Sequence, residues 1–266
     1  MHSLTYLRPA SLADALAALR AHPDAKALAG GMTLIPTLKQ RLAEPSHLVD
    51  LARLPELRGI AYKDDKLMIG AATRHAEVAG SSIVRGSIPA LAELAGLIGD
   101  PQVRNRGTLG GSVANNDPAA DCPAGILALG ATLVTDRREI AADDFFQGVF
   151  ATALEPDEIL VRMVFPIPRR AAYAKFAQPA SGYAMAGVFV AQGEGVVRVA
   201  VTGAGNGVFR WREAEAALGR EFTVKALDQA ALDSSEFSAD LHATPEYRAQ
   251  LVRVMAERAV TSLAER

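Results

Sequence analysis

Apolar and polar positions along the chain switch repeatedly between a period near two and a period near 3.6, which predicts short strands interleaved with short helices. Leu4 to Arg8 alternates and stops at Pro9. Leu12, Ala15, Leu16 and Leu19 then share one face of a helix that Ser11 and Asp14 open like a capping box, with Asp replacing the usual Glu or Gln. Lys26 to Leu28 and His47 to Leu51 read as strands, with a helical pattern through Leu34, Leu38 and Leu42 between them. Pro55 and Gly59 break the chain before Lys66 to Ala71, a strand running into a short helix near Thr73 and Glu77, and Pro89 to Ile98 is helical. Ala131 to Thr135 is a strand, Asp143 to Phe146 opens a loop, and Glu158 to Pro166 alternates and ends on a proline, as strands at a sheet margin do. Pro166 to Ala172 is a connector. Beyond it come a hairpin of Ala184 to Ala191 and Val196 to Thr202, and helices at Arg212 to Leu218 and Thr223 to Leu232. Thr244 and Pro245 start a helix predicted to reach Arg266, with Tyr247, Leu251, Val254, Met255 and Ala259 on its core face.

Two stretches interrupt this pattern with glycine. Leu28 to Pro36 reads LAGGMTLIP: Gly30 and Gly31 follow a strand, Thr33 stands at an N-cap position, and Pro36 sits where a first helical turn tolerates a missing N–H. Arg104 to Leu129 reads RNRGTLGGSVANNDPAADCPAGILAL, a loop with Gly107, Gly110 and Gly111 followed by a helix that begins near Asp121 and closes at Gly130. A turn of exposed N–H groups leading into a helix favours anions such as phosphate. One such loop is commonly no more than a surface turn, whereas two in one chain suit a dinucleotide with two phosphates. Neither stretch contains G-x-G-x-x-G, and no G-x-x-x-x-G-K-[ST] occurs, so neither a Rossmann nor a P-loop site is supported.

The stretches AGGMTLIPTLKQRL and RNRGTLGGSVANNDPAADCPAGILALGA resemble the two FAD-binding motifs of the medium, flavoprotein subunit of molybdenum hydroxylases, the group that includes carbon monoxide dehydrogenase and xanthine dehydrogenase. The resemblance runs from Tyr6 to the C-terminus. It implies an α+β fold: a two-part FAD-binding domain of the PCMH/vanillyl-alcohol-oxidase type, residues 1–56 and 57–170, followed by a small α+β C-terminal domain, residues 171–266, with an antiparallel sheet and helices. It further implies that Ala29, Gly30, Gly31, Met32, Thr33 and Leu34, together with Thr108, Leu109, Gly110, Gly111 and Ser112, bind FAD, with loop amides on the pyrophosphate. Under that placement a Gly110→Asp substitution is expected to abolish FAD binding by adding bulk and negative charge where the phosphates approach.

Further positions follow from the same likeness, each beside an ordinary structural reading. Asp121 matches an acidic residue that contacts the cofactor in xanthine dehydrogenase-type relatives; a helix N-cap is the alternative. Leu160 or Ile159 matches an aliphatic touching the isoalloxazine, where plain core packing would serve equally well. Tyr183 either screens one flavin face or is a β-former, and Met185 stands where relatives carry a lysine near the ring, which puts NAD-directed chemistry in doubt. Arg104 and Arg106 either pair with phosphate or anchor the loop through backbone carbonyls. His75 and Cys122 each read as packed structural residues, with a place near the flavin the functional alternative for His75 and a redox role that for Cys122.

Composition narrows the function classes. A hydrophobic fraction of 50% with 22% charged residues describes a soluble globular protein, and a net charge of −2 provides no basic field for nucleic acid. No window long enough to span a bilayer is free of charge, and the N-terminal residues lack a signal-peptide layout, so a cytoplasmic protein is expected. One cysteine builds neither a disulfide nor an iron–sulfur site, and the five histidines form no metal-binding spacing. The absence of paired carboxylates or an activated nucleophile suits an electron carrier. The resemblance implies one: a subunit that holds FAD and receives electrons from a [2Fe-2S] small subunit, beside a molybdopterin-binding large subunit, in a heterotrimer whose dimerisation is left open. The alternatives are a stand-alone FAD-dependent oxidase or reductase and a non-redox nucleotide-binding module.

Overall fold

The computed structural model describes residues 2–264 of the chain. Three short strands form a parallel sheet in the order Thr5–Leu7, His47–Asp50, Lys26–Leu28. Parallel pairing needs crossovers, which the helices Leu12–Ala21 and Leu34–Lys39 supply. Ser11 caps the first of these, its Oγ accepting from the Asp14 amide at 3.1 Å. That helix buries Ala15 and Leu19 on Val49, Leu54 and Leu57, and Ile159 and Val161 from far along the chain complete this small core.

An antiparallel sheet of five strands follows, in the order Ile60–Lys63, Lys66–Gly70, Leu160–Pro166, Thr132–Thr135, Glu139–Ala141. Leu160–Pro166 is its central strand, not the margin that its terminal proline suggested. Pro166 is the last residue of the strand, where one missing donor leaves the ladders on both sides intact. Against this sheet pack the helices Pro89–Gly96, Leu109–Asn115 and Cys122–Ala128, sharing a core of Leu67, Ile69, Leu91, Leu94, Ile126, Leu133, Met163 and Phe165. The expected loop at Asp143 is instead a one-turn helix, Ala142–Phe145, that drives Phe145 fully into this core.

The C-terminal residues build an antiparallel sheet, Arg170–Ala177, Ala184–Gln192, Val197–Thr202 and Phe209–Arg210. Ala184–Gln192 is apolar almost throughout because both its faces are covered: Phe189 and Ala191 join the core of the five-stranded domain, while Ala186, Val188 and Val190 join a second core under Arg212–Arg220 and Pro245–Ala264. The terminal helix starts at Pro245 as expected, and the last two residues of its predicted span lie outside those described. Its buried face is Arg248, Leu251, Val252, Met255, Ala256, Ala259, Val260 and Leu263, leaving Tyr247 46% exposed. Arg248 displaced the expected stripe by turning inward: its guanidinium donates to the carbonyls of Met185 (2.9 Å) and Gly203 (2.8 Å) and to Asp240 (2.7 Å). Between the two helices the expected helical turn is a 3-10 helix, Val224–Gln229.

A buried carboxylate secures the bulge where the central strand begins. Glu158 accepts from Arg138 Nε (2.9 Å) and Nη2 (2.8 Å), from Thr135 Oγ1 (2.7 Å) and from the Glu155 amide (3.0 Å). Chiefly through the Arg138 bonds, its acid is held down at about 2, from an ordinary 4.5. The folded value lies below the unfolded one, so this cluster adds stability above about pH 4.5 that disappears as the pH falls towards 2. Glu158→Gln is expected to lower the melting temperature at neutral pH and to flatten the acid limb of stability against pH, read by thermal denaturation across that window.

Candidate functional site

A cavity of about 680 Å³ lies where the parallel-sheet lobe, the five-stranded lobe and the C-terminal domain meet. That size falls within the range of about 300–1,000 Å³ usual for small-molecule and cofactor pockets. The first two lobes touch there through bare backbone. A Cβ on Gly30 would stand 2.2 Å from the Arg106 carbonyl oxygen and 2.7 Å from Gly107 Cα, a separation no side chain permits. Gly31 turns the chain at φ +72°, and, among the described residues, no acceptor meets any of the amides from Ala29 to Thr33. Thr33 is not the side-chain cap its position suggested: it lies in the helical region, and its side chain makes no cap bond.

The second glycine stretch is built differently from the loop of free amides expected of it. Leu109–Asn115 is a helix capped by Thr108, whose Oγ1 accepts from the Gly111 amide at 3.1 Å. The amides of Leu109, Gly110 and Ser112 are taken by the carbonyls of Thr73 (2.9 Å), Ala71 (2.9 Å) and Thr108 (3.0 Å). Leu109 points into the core and does not reach the cavity, whereas Thr108, Gly110, Gly111 and Ser112 border it. Gly110 is glycine because its missing Cβ would fall 2.4 Å from the Cβ of Ala71, a requirement of packing between helix and strand. Gly111 lies against Ala29, with 3.3 Å from its would-be Cβ to that methyl, so the two stretches flank one channel.

Ala29, Gly30, Gly31, Met32, Thr33 and Leu34 line the same cavity, as do Asp121, Tyr183 and both Ile159 and Leu160. Asp121 does not cap its helix. Its carboxylate accepts from the Tyr173 hydroxyl and from Lys175 Nζ at 3.0 Å, and Lys175 also donates to the carbonyls of Leu97 and Gly182 at 2.9 Å each. Burial pushes the Asp121 acid up, while Lys175 and Tyr173 pull it back. Burial likewise raises the Tyr183 phenol. Arg104 anchors: Nη1 donates to the carbonyls of Ile98 (2.9 Å) and Gly99 (3.2 Å). Cys122 is fully buried, its thiol pushed up to about 12 by burial, so it is no nucleophile at neutral pH.

Sequence reasoning passed over Phe150, at φ +52° on the tip of a two-stranded hairpin that borders the cavity. Asn116 holds that tip, donating Nδ2 to the carbonyls of Gly148 (2.7 Å) and Ala151 (2.8 Å) and accepting from the Phe150 amide (3.2 Å). Asn116 is itself left-handed at φ +45°, a conformation asparagine tolerates, and the NN pair was the one available signal. Tyr173 was equally invisible, since a tyrosine in a strand looks like any other.

Free amides beside a narrow gap between two lobes can hold a diphosphate, and the cavity extends from there to Ser181, Gly182 and Tyr183 of the C-terminal domain. Such an arrangement suits a dinucleotide-binding protein that uses no Rossmann crossover. A family model described as FAD binding domain in molybdopterin dehydrogenase matches residues 2–168, and one described as CO dehydrogenase flavoprotein C-terminal domain matches residues 172–263. The chain is 38% identical to the carbon monoxide dehydrogenase medium chain of Hydrogenophaga pseudoflava, over 97% of this chain and 96% of that one. It is 35% identical to the nicotine 6-hydroxylase medium subunit of Paenarthrobacter nicotinovorans, over 99% and 98%. A solved carbon monoxide dehydrogenase chain from Hydrogenophaga pseudoflava superposes with a TM-score of 0.90 at 38% identity, covering 98% of this chain and 96% of that one. The chain belongs to the FAD-binding medium subunits of the molybdenum hydroxylases.

The packing at Gly110 changes what substitutions there should do. Gly110→Ala is expected to depress the melting temperature and the bound-flavin content about as much as Gly110→Asp, because displacement of Ala71 is the damage and charge adds little. Flavin absorbance and thermal melting of both variants distinguish the two causes: normal flavin in Gly110→Ala, with loss only in Gly110→Asp, would return the effect to charge.

Proposed function

We propose that this chain is the FAD-holding subunit of a molybdenum-containing hydroxylase or dehydrogenase, passing electrons from a [2Fe-2S] subunit through FAD to an external acceptor. The observation that carries the reading is the run of unpaired amides from Ala29 to Thr33, opposite the capped helix at Thr108 in a cavity of cofactor size. Those amides would hold the pyrophosphate. The helix at Leu109, its own amides spent, would form the opposite wall and present the Thr108 and Ser112 side chains. Asp121, fixed between Tyr173 and Lys175, would accept hydrogen bonds from the cofactor, while Leu160, Ile159 and Tyr183 would shape the ring environment and keep water from it. When bound, FAD supplies redox chemistry in one- or two-electron steps, which joins clusters that move single electrons to acceptors that take pairs.

Two partners complete the proposal: a molybdopterin-binding large subunit, where substrate is oxidised, and a small [2Fe-2S] subunit, together a heterotrimer. The medium-chain and medium-subunit designations of the relatives support such an assembly. A cytoplasmic location is part of the same proposal; no helix among the described residues is long and apolar enough to cross a membrane.

The test is to purify the chain alone and with its partners. We expect about one flavin per chain in the assembled complex. The isolated chain should take up FAD yet show no turnover of an organic substrate without its partners. Turnover by the isolated chain would establish a stand-alone oxidase or reductase, and no flavin in either preparation would leave a non-redox nucleotide module.

A further inference from the structure

His75 is a polar residue of the cavity wall that the proposed function leaves without a task. It opens the helix His75–Gly80, is 4% exposed, borders the cavity and lies directly beneath the second glycine stretch. Its amide donates to the Gly107 carbonyl at 3.0 Å, and a Cβ on Gly107 would stand 3.1 Å from the imidazole Nε2. Gly107 is in turn the residue on which Gly30 rests, so Nε2 sits one residue's thickness from the loop of free amides. On its other side, Nδ1 faces Cys122 Sγ at 4.0 Å. Among the described residues, Nε2 itself has no hydrogen-bond partner.

The chemistry of this row limits its protonation states. Burial holds the imidazole down at about 4 and the thiol up at about 12, so both are neutral at physiological pH. A neutral imidazole carries one N–H and one lone pair. The 4.0 Å contact between Sγ and Nδ1 fits either direction; when the thiol donates into Nδ1, the ring proton sits on Nε2, on the side of Gly107 and the first glycine loop. The opposite tautomer would turn a lone pair towards an anion. We infer that His75 donates a hydrogen bond from Nε2 to a phosphate oxygen of the bound dinucleotide, and that Cys122 is the positioning residue that selects the required tautomer. This rests on the reading that a dinucleotide fills the cavity.

The tautomer can be read without any cofactor, by nitrogen chemical shifts of isotope-labelled histidine in the full chain, with His75 assigned from a His75→Gln variant. The expected result is a non-titrating His75 protonated on Nε2 in the wild type. In Cys122→Val, which keeps bulk but no donor, the two tautomers should mix. FAD affinity by fluorescence quenching should fall about tenfold in His75→Phe, which keeps a ring but no donor, the scale of one lost hydrogen bond to a charged group, and only about twofold in Cys122→Val, the cost of selecting one tautomer from an even mixture. A wild-type His75 protonated on Nδ1 would overturn the inference, as would unchanged affinity in His75→Phe. The wild-type tautomer decides the matter even if a variant fails to fold. A wild-type chain that binds no flavin at all would instead count against the function proposed above.

Discussion

The architecture depends on one contact with no side chain in it: Gly30 seated on the backbone of Arg106 and Gly107. Any Cβ at that point would force the parallel-sheet lobe away from the five-stranded lobe, and the cavity is the space the two enclose. Close backbone approach also governs the chemistry. Seated backbone to backbone at Gly30, the loop from Ala29 to Thr33 keeps its N–H groups open, and unpaired amides in a partly enclosed site are costly unless something accepts from them. The fold thus carries a donor deficit where an anion would relieve it.

The third wall is supplied from the far end of the chain. The segment Pro118 to Asp121, which follows the capped helix, is held by the C-terminal sheet: Thr202 Oγ1 donates to the carbonyls of Pro118 (3.0 Å) and Ala120 (2.7 Å), and the Gly203 amide donates to Pro118 (2.8 Å). Tyr173 and Lys175, from the first strand of that sheet, then grip the Asp121 carboxylate. The strand Ala184–Gln192 feeds one core from each face, so the C-terminal domain cannot shift without disturbing both. The charge and position of the Asp121 carboxylate on the cavity wall are therefore set by a domain whose residues lie more than fifty positions away from it.

Most elements were legible because local rules and tertiary packing agree in them: the Ser11 cap, the strand at Lys66, the hairpin after Ala184 and the start at Pro245 all follow from spacing and capping. The departures occur where a side chain is used for something its type does not announce. Arg248 turns inward to carbonyls, so a helix face that reads as solvated is buried. Asp121 serves Tyr173 and Lys175 instead of its own helix. Periodicity is blind to both, because each depends on a partner distant in sequence. The glycines of the second stretch were visible as glycines, but sequence cannot separate one needed for ligand approach from one needed for packing. Gly110 belongs to the second kind, and only the position of Ala71 reveals it.

Amide hydrogen exchange of the full chain, with and without ADP as a minimal diphosphate, tests most directly whether the first stretch is the anion cradle. The account predicts slowed exchange from Gly30 to Thr33 on adding ADP and little change from Leu109 to Ser112, whose amides are already engaged. Protection appearing at Leu109 to Ser112 while Gly30 to Thr33 exchanges freely would contradict it.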